Sequence, residues 1–351
     1  MNESDMKKTI LVTGGLGYIG SHTVVELQES NYDVVVIDNL SNSISEVAEK
    51  ITSITQIPVK LYIGDITDES SLKTLFEQET IGGVIHFAAH KAVGESVQKP
   101  FKYYRNNIDG MITLQKVMHQ HHVKTIVFSS SCTVYGDTKH SPIAETHPIT
   151  EAISPYGTTK LVCEQILKEL CRYSGFKGII LRYFNPVGAH PSTCIGELPL
   201  GVPDNLVPYI TQTAAGIREK LTVFGNDYNT ADGTNIRDYI HVVDLARAHV
   251  KALDYALSMN QDCEIFNLGT GTGHSVLEVI QAFEQTSGIS LPYVIGARRT
   301  GDVEQIWADA TKAVQILNWT PQYNLHDMMD SAWKWQVALS QNNQKRASKP
   351  A

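Results

Sequence analysis

The chain has 351 residues, of which 42% are hydrophobic and 19% are charged, and it carries a formal net charge of −8. These values are typical of a soluble globular protein of one large or two moderate domains, and an acidic balance without a basic block argues against a nucleic-acid partner. The apolar runs are far shorter than the ~20 residues that cross a bilayer, and the leader MNESDMKK has no hydrophobic signal core, so we expect a cytoplasmic protein.

The five cysteines indicate neither a disulfide framework nor a metal centre. They are odd in number and contain no C-x-x-C pair, the usual spacing of zinc ligands and redox pairs. The thirteen histidines are scattered along the chain. We therefore predict no bound metal. The cysteines, which we expect mostly as buried small apolar residues, are Cys132, Cys163, Cys171, Cys194 and Cys263.

The amino-terminal segment has the pattern of a dinucleotide-binding unit. Residues 9–12 (TILV) are typical of a buried parallel strand and lead directly into a loop with Gly14, Gly17 and Gly20. Glycines at this spacing permit a tight turn, a close approach to a pyrophosphate and close packing of the next helix, which we predict over 21–30. The free N–H groups at the start of that helix are expected to face the phosphates.

The second strand, predicted over 33–37, ends at an acidic residue. Asp38 follows the glycines by about 20 positions, where a carboxylate is expected to bind the adenosine 2′-hydroxyl. A negative charge at this place would also repel the 2′-phosphate of NADP. The sequence therefore predicts NAD rather than NADP as the cofactor.

Four further short runs alternate with helical patterns and end in small or polar residues. We predict strands at 59–63, 83–87, 125–128 and 178–181. This order predicts a doubly wound parallel α/β sheet of the Rossmann type, in which ligands bind beyond the carboxyl ends of the strands. The residues at those ends, which should converge on one crevice with the glycine loop, are Asp65, Ala88, Ser131 and Tyr183.

A tyrosine and a lysine four residues apart indicate a general base. In SPYGTTK, Ser154 is a candidate N-cap and Pro155 a candidate first helical residue. This placement puts Tyr156 in the first turn and Lys160 on the same helix face. A neighbouring ammonium and the positive end of the helix dipole both lower the pKa of a phenol, so we expect Tyr156 as phenolate. The same spacing occurs by chance in exposed helices, and Ser131 alone could be an ordinary loop serine.

The carboxyl-terminal half has a different texture. Pro, Gly and Asn are frequent through residues 185–205, as in a long substrate-facing loop, before a helix predicted near 206–220. A strand at 264–268 precedes a second glycine run, 269–273, which we interpret as a turn because no strand and acid follow it. Residues 341–351 are predicted to be a frayed polar tail.

Long strings of the chain resemble the extended short-chain dehydrogenase/reductase family, and among its members those that act on UDP-sugars. The strings are TGGLGYIGSHT, HKAVGESVQKP, FSSSCTVYGD, SPYGTTKL, LRYFNPVGAHPS, FGNDY and RDYIHVVDLA. The resemblance implies a tightly held NAD, a UDP-hexose substrate and a homodimer packed through helices of the Rossmann portion. The activity it implies is reversible epimerisation of UDP-glucose and UDP-galactose at C4, through a transient 4-keto sugar and bound NADH.

The resemblance also implies a domain division and a set of site residues. The NAD-binding Rossmann domain would comprise 1–185 with about 236–272, and a smaller mixed α/β UDP-sugar domain about 186–235 with 273–340. The implied catalytic residues are Tyr156, Lys160 and Ser131. The residues implied to bind NAD are these three with Gly14, Gly17, Tyr18, Ile19, Gly20, Asp38, Asn39, Asp65, Ile66, Phe87, Ala88, Ala89, Lys91, Asn106 and Tyr183. The residues implied to bind the UDP-sugar are Ser131, Tyr156, Asn185, Asn205, Leu206, Arg237, Arg299, Asp302 and Ile306.

Other functions share parts of this pattern. Nucleotide-sugar 4,6-dehydratases have an Asp-Glu pair just after the serine strand to eliminate water, where this chain has Cys132 and Thr133. A plain alcohol dehydrogenase needs no diphosphate clamp, which Arg237 and Arg299 would provide. A cofactor-sensing binding protein would be expected to lack the tyrosine or the lysine. Another UDP-sugar enzyme of the family, such as a UDP-N-acetylglucosamine 4-epimerase, remains the main alternative.

Ile306 departs from the family's pattern. Many bacterial members have a tyrosine there that crowds the C2 side of the sugar, whereas members with a small residue resemble enzymes that also accept N-acetylated hexoses. Isoleucine is intermediate in size. We therefore expect UDP-glucose and UDP-galactose as the main pair, with a lesser turnover of UDP-GlcNAc and UDP-GalNAc. The alternative is that Ile306 only packs in the interior.

Overall fold

The computed structural model describes residues 8–138, 140–259, 263–299 and 302–347. Within these ranges the strands, numbered in chain order, are β1 (Thr9–Thr13), β2 (Asp33–Asp38), β3 (Lys60–Ile63), β4 (Ile81–His86), β5 (Thr125–Ser131), β6 (Lys177–Tyr183), β7 (Asn185–Val187), β8 (Leu221–Phe224), β9 (Ile236–His241), β10 (Cys263–Leu268), β11 (Gly273–Ser275), β12 (Tyr293–Gly296) and β13 (Gln305–Ile306). The helices are α1 (Tyr18–Glu29), α2 (Glu46–Thr55), α3 (Glu69–Gln78), α4 (Val93–Gln98), α5 (Pro100–Tyr103), α6 (Gly110–Gln120), α7 (Pro155–Ser174), α8 (Leu206–Ala214), α9 (Val242–Ser258), α10 (Val276–Ser287), α11 (Thr311–Leu317) and α12 (Leu325–Ala347).

A seven-stranded parallel sheet forms the larger part of the molecule, in the order β10-β6-β5-β4-β1-β2-β3. The chain runs outward from β1 to β3 and then returns to β4 on the other side of β1. This reversal leaves a crevice at the carboxyl ends of β1 and β4, which is where doubly wound folds bind ligands. The predicted fold class is confirmed.

The short apolar runs form strands because both of their faces are buried. Ile10 and Val12 pack into one hydrophobic core, and Leu11, between them, packs into the other. Side chains alternate between the two faces of a strand, so a continuous apolar run is what a sheet covered by helices on both sides requires.

A smaller part of the molecule has its own strands and core. β9 pairs with β7, β11 and β13, while β8 pairs with β12. Helices α8, α10 and α12 contribute to an apolar cluster that includes Ile210, Phe283 and Met329. Although β9 belongs to this smaller sheet, α9 packs on α1, and β10 completes the large sheet. The division at 236–272 therefore stays a prediction.

Several elements differ at their ends from the sequence-based expectation. α1 begins at Tyr18 rather than at residue 21, because Gly17 already serves as its N-cap. α8 ends at Ala214, two residues before Gly216 adopts a positive φ of 72°. α12 extends to Ala347, into the predicted tail. The leader, residues 1–7, and residues 348–351 lie outside the described part of the chain, and in that part no helix is long and apolar enough to cross a membrane.

Candidate active site

The glycine loop lies in the crevice between β1 and β4. Gly14 has a φ of +68°, and a Cβ on it would come within 2.9 Å of the backbone nitrogen of Ala88. A Cβ on Gly20 would collide with the carbonyl oxygen of Gly14. The loop therefore has no room for side chains at these positions, as the predicted turn and helix packing require.

The start of α1 offers unoccupied backbone donors. Among the described residues no side chain caps this helix, and its first internal hydrogen bond runs from Ser21 N to Gly17 O at 2.9 Å. The N–H groups of Tyr18 and Ile19 are therefore available to an anion, together with the positive end of the helix dipole. The Tyr18 side chain points elsewhere, because its hydroxyl donates to Gly188 O at 2.6 Å. These groups fit the pyrophosphate of a dinucleotide.

Asp38 is hydrogen-bonded to the glycine loop. Its carboxylate accepts hydrogen bonds from Leu16 N at 3.0 Å, from Leu40 N at 2.9 Å and from the Ser43 hydroxyl at 2.8 Å. An ionised carboxylate has about four acceptor positions, so one remains for a ribose hydroxyl. The arrangement fits the predicted role of Asp38 in NAD binding.

A second group of predicted NAD residues follows β2, β3 and β4 at the carboxyl ends of these strands. Asn39 donates to Asp65 at 2.8 Å, which joins the ends of β2 and β3. Ile66 is buried. After β4, Phe87 N donates to Thr13 O at 3.1 Å, which brings the segment of Phe87, Ala88 and Ala89 beside the glycine loop.

Lys91 and Asn106 are held by partners that the sequence did not reveal. The Lys91 ammonium lies 3.2 Å from a Glu197 oxygen. Asn106 donates to the side chain of Asn107 at 3.0 Å, and Asn107 in turn donates to Thr159 on α7 at 3.0 Å. Asn107 thus connects the NAD side of the crevice to the catalytic helix. Nothing in its local sequence pattern distinguishes it from an exposed helical asparagine.

The three predicted catalytic residues come together at the carboxyl end of β5. Ser154 caps α7 by accepting from Gly157 N at 3.2 Å, with Pro155 as the first helical residue, as predicted. Tyr156, Lys160 and Ser131 are 8%, 3% and 8% exposed. The Lys160 Nζ lies 5.8 Å from the centre of the Tyr156 ring.

The protonation states differ from the sequence-based expectation. Burial raises the pKa of Tyr156 to about 12, and a hydrogen bond from the Ser131 hydroxyl only partly offsets this. Burial also lowers the pKa of Lys160 to about 8. The predicted lowering of the Tyr156 pKa by Lys160 is therefore wrong, because desolvation of the buried phenolate is the largest influence on this pKa and acts in the opposite direction. Tyr183 is next to this group, and its hydroxyl donates to that of Ser129.

The predicted UDP-sugar residues form two sets. Arg299 makes two hydrogen bonds to Asp302, of 2.9 and 3.2 Å, and its guanidinium lies 4.8 Å from the centre of the Phe224 ring. Arg237 donates to Ile236 O at 2.8 Å, and burial lowers the pKa of its guanidinium. Two cationic forks near one another suit a diphosphate.

The second set lies at the start of β7 and at the start of α8. Asn185 donates to Asp238 O at 2.9 Å, and Asn205, the residue before α8, donates to Glu197 at 2.6 Å. Leu206 is the first residue of α8. Glu197 therefore contacts both Lys91 and Asn205, one from each predicted ligand set.

Ile306 and Tyr228 complete this side of the site. Ile306 pairs in register with Arg237 and is 5% exposed, within an apolar cluster that also contains Cys132 and Phe184. These two residues follow Ser131 and Tyr183, so the cluster that contains Ile306 lies next to the catalytic residues. Sequence reasoning missed Tyr228. Its buried hydroxyl has no hydrogen-bond partner among the described residues, and it lies within electrostatic range of Arg237, Arg299 and Asp302.

Comparison with known proteins agrees with this arrangement. The family model described as GDP-mannose 4,6 dehydratase matches residues 11–332. A curated UDP-glucose 4-epimerase of Dictyostelium discoideum is 53% identical over 328 residues, which cover 93% of this chain and 95% of the relative.

Two solved structures extend the likeness to the whole fold. One is UDP-glucose 4-epimerase from Stenotrophomonas maltophila with bound NAD and formylated UDP-arabinopyranose, with a TM-score of 0.93, 49% identity and coverage of 95% of this chain and 99% of that one. The other is UDP-glucose 4-epimerase from Bifidobacterium longum in complex with NAD+ and UDP, with a TM-score of 0.91, 47% identity and coverage of 94% and 98%. With its glycine loop, its Tyr-Lys-Ser group and this near full-length likeness, the chain belongs to the UDP-glucose 4-epimerases of the extended short-chain dehydrogenase/reductase family.

Proposed function

We propose that this chain reversibly converts UDP-glucose and UDP-galactose into one another by epimerisation at C4, with NAD as a resident cofactor. The observation that carries the proposal is the position of Tyr156, Ser131 and Lys160 at the carboxyl end of β5, in the crevice that also contains the glycine loop. The full-length similarity to UDP-glucose 4-epimerases supports the same activity.

Each catalytic side chain has a distinct task. Tyr156 accepts the proton of the sugar 4-hydroxyl and returns it later, and Ser131 donates a hydrogen bond to the reacting oxygen. When bound, oxidised NAD supplies a hydride acceptor, a store from which the hydride returns, and a positive charge that favours the Tyr156 phenolate. Lys160 adds a second positive charge to the same pocket. Between removal and return of the hydride, the 4-keto sugar must rotate so that its opposite face meets the nicotinamide. UDP therefore has to be held firmly and the hexose loosely.

The residues proposed to hold UDP fit this division of tasks. Arg237 and Arg299 provide two guanidinium groups for the diphosphate, while Asn185 lies at the start of β7 and Asn205 and Leu206 lie at the start of α8. The wall near the hexose is formed by an apolar cluster that contains Ile306, Cys132 and Phe184. An apolar wall makes no directional bonds to the sugar, so it permits the hexose to rotate.

Dehydration is not supported by the residues that follow β5. Burial raises the pKa of the Cys132 thiol to about 12, so at neutral pH it is neither an acid that releases a proton readily nor a thiolate base. The Thr133 hydroxyl is buried without a hydrogen-bond partner among the described residues. Neither residue supplies the pair of carboxyl groups with which water would be eliminated.

We also propose a homodimer in the cytoplasm. Helices α4 and α5 and the π-helical turn Tyr104–Asp109 expose Val97 and Phe101 to 62% and 86%, with Tyr104 beside them. Apolar side chains exposed together on helices are typical of a surface that is covered in the assembled protein. The occupant we propose is the same surface of a second copy.

The experiment that tests the function uses purified protein and UDP-galactose without added NAD. We expect UDP-glucose to form catalytically, detected by NMR or by separation of the two nucleotide sugars. If, with NAD added, NADH accumulates in proportion to the sugar consumed and no UDP-glucose forms, the protein is an ordinary dehydrogenase. If no product forms even with NAD present, the proposed epimerisation is wrong.

A further inference from the structure

A buried ion pair lies directly behind the catalytic residues. Glu164 is on α7, one turn beyond Lys160 and two turns beyond Tyr156, and its side chain is 1% exposed. Its carboxylate accepts hydrogen bonds from the Arg182 guanidinium at 2.5 and 2.8 Å and from the Ser130 hydroxyl at 2.6 Å. The Lys168 ammonium lies 3.5 Å from the same carboxylate.

The partners of Glu164 are the strand neighbours of the reacting groups. Ser130 on β5 pairs in register with Arg182 on β6, and the next pair in this register is Ser131 with Tyr183. Glu164 therefore links α7 to the Ser130–Arg182 pair, which comes one residue before the Ser131–Tyr183 pair at the catalytic end of the two strands. Any shift of α7 along the sheet would change the distance from Tyr156 to Ser131 and break this ion pair.

The same network continues toward the wall of the sugar pocket. Arg182 donates to the Tyr135 hydroxyl at 3.1 Å, and Tyr135 donates to Asn267 at 2.6 Å. Asn267 donates to Ile143 O at 2.8 Å, and Ile143 N donates to Trp307 O at 2.9 Å. Trp307 follows Ile306 in the chain, so one chain of bonds joins α7 to the segment that carries Ile306.

Stability alone does not account for such a pair. Two charges removed from water lose their hydration, and well-packed apolar residues in their place are often as stable or more stable. A general base, in contrast, depends on its position to within about 1 Å, and a misplacement of that size costs about 100-fold in rate.

We propose that Glu164 and Arg182 are positioning residues that hold Tyr156 and Lys160 against Ser131, without touching the substrate themselves. This inference rests on the proposed epimerisation. Arg182 supplies a rigid fork of donors that fixes the orientation of Glu164, and Ser130 and Tyr135 fix the orientation of the pair.

The test replaces both charges by apolar residues of similar size, in the variant E164L/R182M. We expect this variant to fold and to bind NAD and UDP, with a KM for UDP-galactose within about twofold of wild type and a kcat at least about tenfold lower. Reduction of the bound NAD by UDP-hexose, followed at the reduced-nicotinamide absorbance, should slow in parallel. The control is E264L/K312M, which removes the Lys312–Glu264 contact of 2.5 Å between α11 and β10 and should keep the kcat.

The outcomes separate the two proposals. A folded E164L/R182M variant with the kcat of wild type would overturn the positioning role, and so would equal losses in kcat and in UDP affinity. Should that variant not fold, R182K decides, because it keeps the charge but loses the fork: a lower kcat at unchanged KM supports the role, and an unchanged kcat overturns it. Failure of the wild-type protein to epimerise contradicts the proposed function instead.

Discussion

Lys160 donates a 2.6 Å hydrogen bond from its ammonium to the backbone carbonyl of Ser129. Ser129 is two residues before Ser131 on β5, and its hydroxyl accepts a hydrogen bond from Tyr183. The lysine thereby anchors α7 to the strand that carries Ser131. Its charge remains close to the phenol, because Nζ lies 5.8 Å from the centre of the Tyr156 ring. The same nitrogen lies 4.9 Å from the centre of the Phe128 ring.

Replacing Tyr156 by phenylalanine removes the proposed base and leaves the ring in place. We expect Tyr156→Phe to lower kcat by ~10²–10⁴-fold, with NAD and UDP binding retained. Steady-state epimerisation and UDP titration check this. The control is Tyr62→Phe, which removes a hydroxyl that contacts Gln78 at 3.1 Å outside the crevice. Less than a threefold loss for Tyr156→Phe would exclude this residue as the base.

Asp38 is expected to set the preference for NAD over NADP. Asp38→Ala should weaken NAD binding by ~1.5–3 kcal/mol, because a hydrogen bond to a charged group is lost, and should improve the relative binding of NADP. Calorimetric titration of cofactor-stripped protein with both cofactors gives the ratio. Asp33→Ala, at the exposed start of the same strand, is the matched control. A protein that as purified binds NADP more tightly than NAD would show that the charge of Asp38 has no such effect.

Ile306 is proposed to set the size of the sugar pocket. Ile306→Tyr should lower, and Ile306→Ser should raise, the rate ratio of UDP-GlcNAc to UDP-glucose, by roughly 10–200-fold at most for one gating side chain. Because Ile306 is 5% exposed in an apolar cluster, the thermal midpoints of both variants are measured alongside. If the ratio stays constant in two folded variants, Ile306 only packs and the acetamido group is selected elsewhere.

The buried ammonium of Lys160 predicts a pH-dependent stability. Burial lowers its pKa from 10.5 to about 8, although the nearby Cys163 and Glu164 act in the opposite direction. The unfolded chain therefore keeps this proton to a higher pH than the folded chain does. Burial of the charged ammonium lowers the free energy of unfolding by its full amount below about pH 8, and this destabilisation disappears as the pH rises toward 10.5.

The matched variant for this effect is Lys160→Met, which has no charge to bury. Relative to it, the wild-type free energy of unfolding should rise between about pH 8 and pH 10, by up to the order of 3 kcal/mol. Both proteins contain Tyr156, so its titration cancels in the difference. Urea unfolding at several pH values measures the effect. A difference that does not change with pH would contradict the lowered pKa.

The proposed dimer surface can be tested at one exposed aromatic residue. Phe101→Glu should convert a dimer into a monomer in sedimentation experiments, because it places a charge in an apolar interface. Ile63→Glu is the control, since Ile63 is 68% exposed at the end of the edge strand β3. A monomeric wild-type protein, or a Phe101→Glu variant that remains dimeric, would show that this surface is not the interface.

Much of the fold follows from local pattern. The apolar runs around Leu11 and Val35 predict buried strands because both of their faces must be covered. The Ser154-Pro155 start of α7 predicts a helix with Tyr156 in its first turn. The glycine spacing predicts the loop, because side chains at Gly14 and Gly20 would meet backbone atoms. Each of these signals lies within about 20 residues of sequence, the range over which such patterns act.

The protonation and the hydrogen-bond partners of the site residues depend on contacts between distant parts of the chain. Burial of Tyr156 in the folded chain raises its pKa, while the i+4 lysine alone suggested the opposite. Tyr135 and Asn267, hydrogen-bonded at 2.6 Å, are 132 residues apart in sequence. Desolvation and long-range pairing depend on what the folded chain places around a group. Local sequence therefore identified the glycine loop and the group of Tyr156, Lys160 and Ser131, and only the tertiary structure decided their charges and partners.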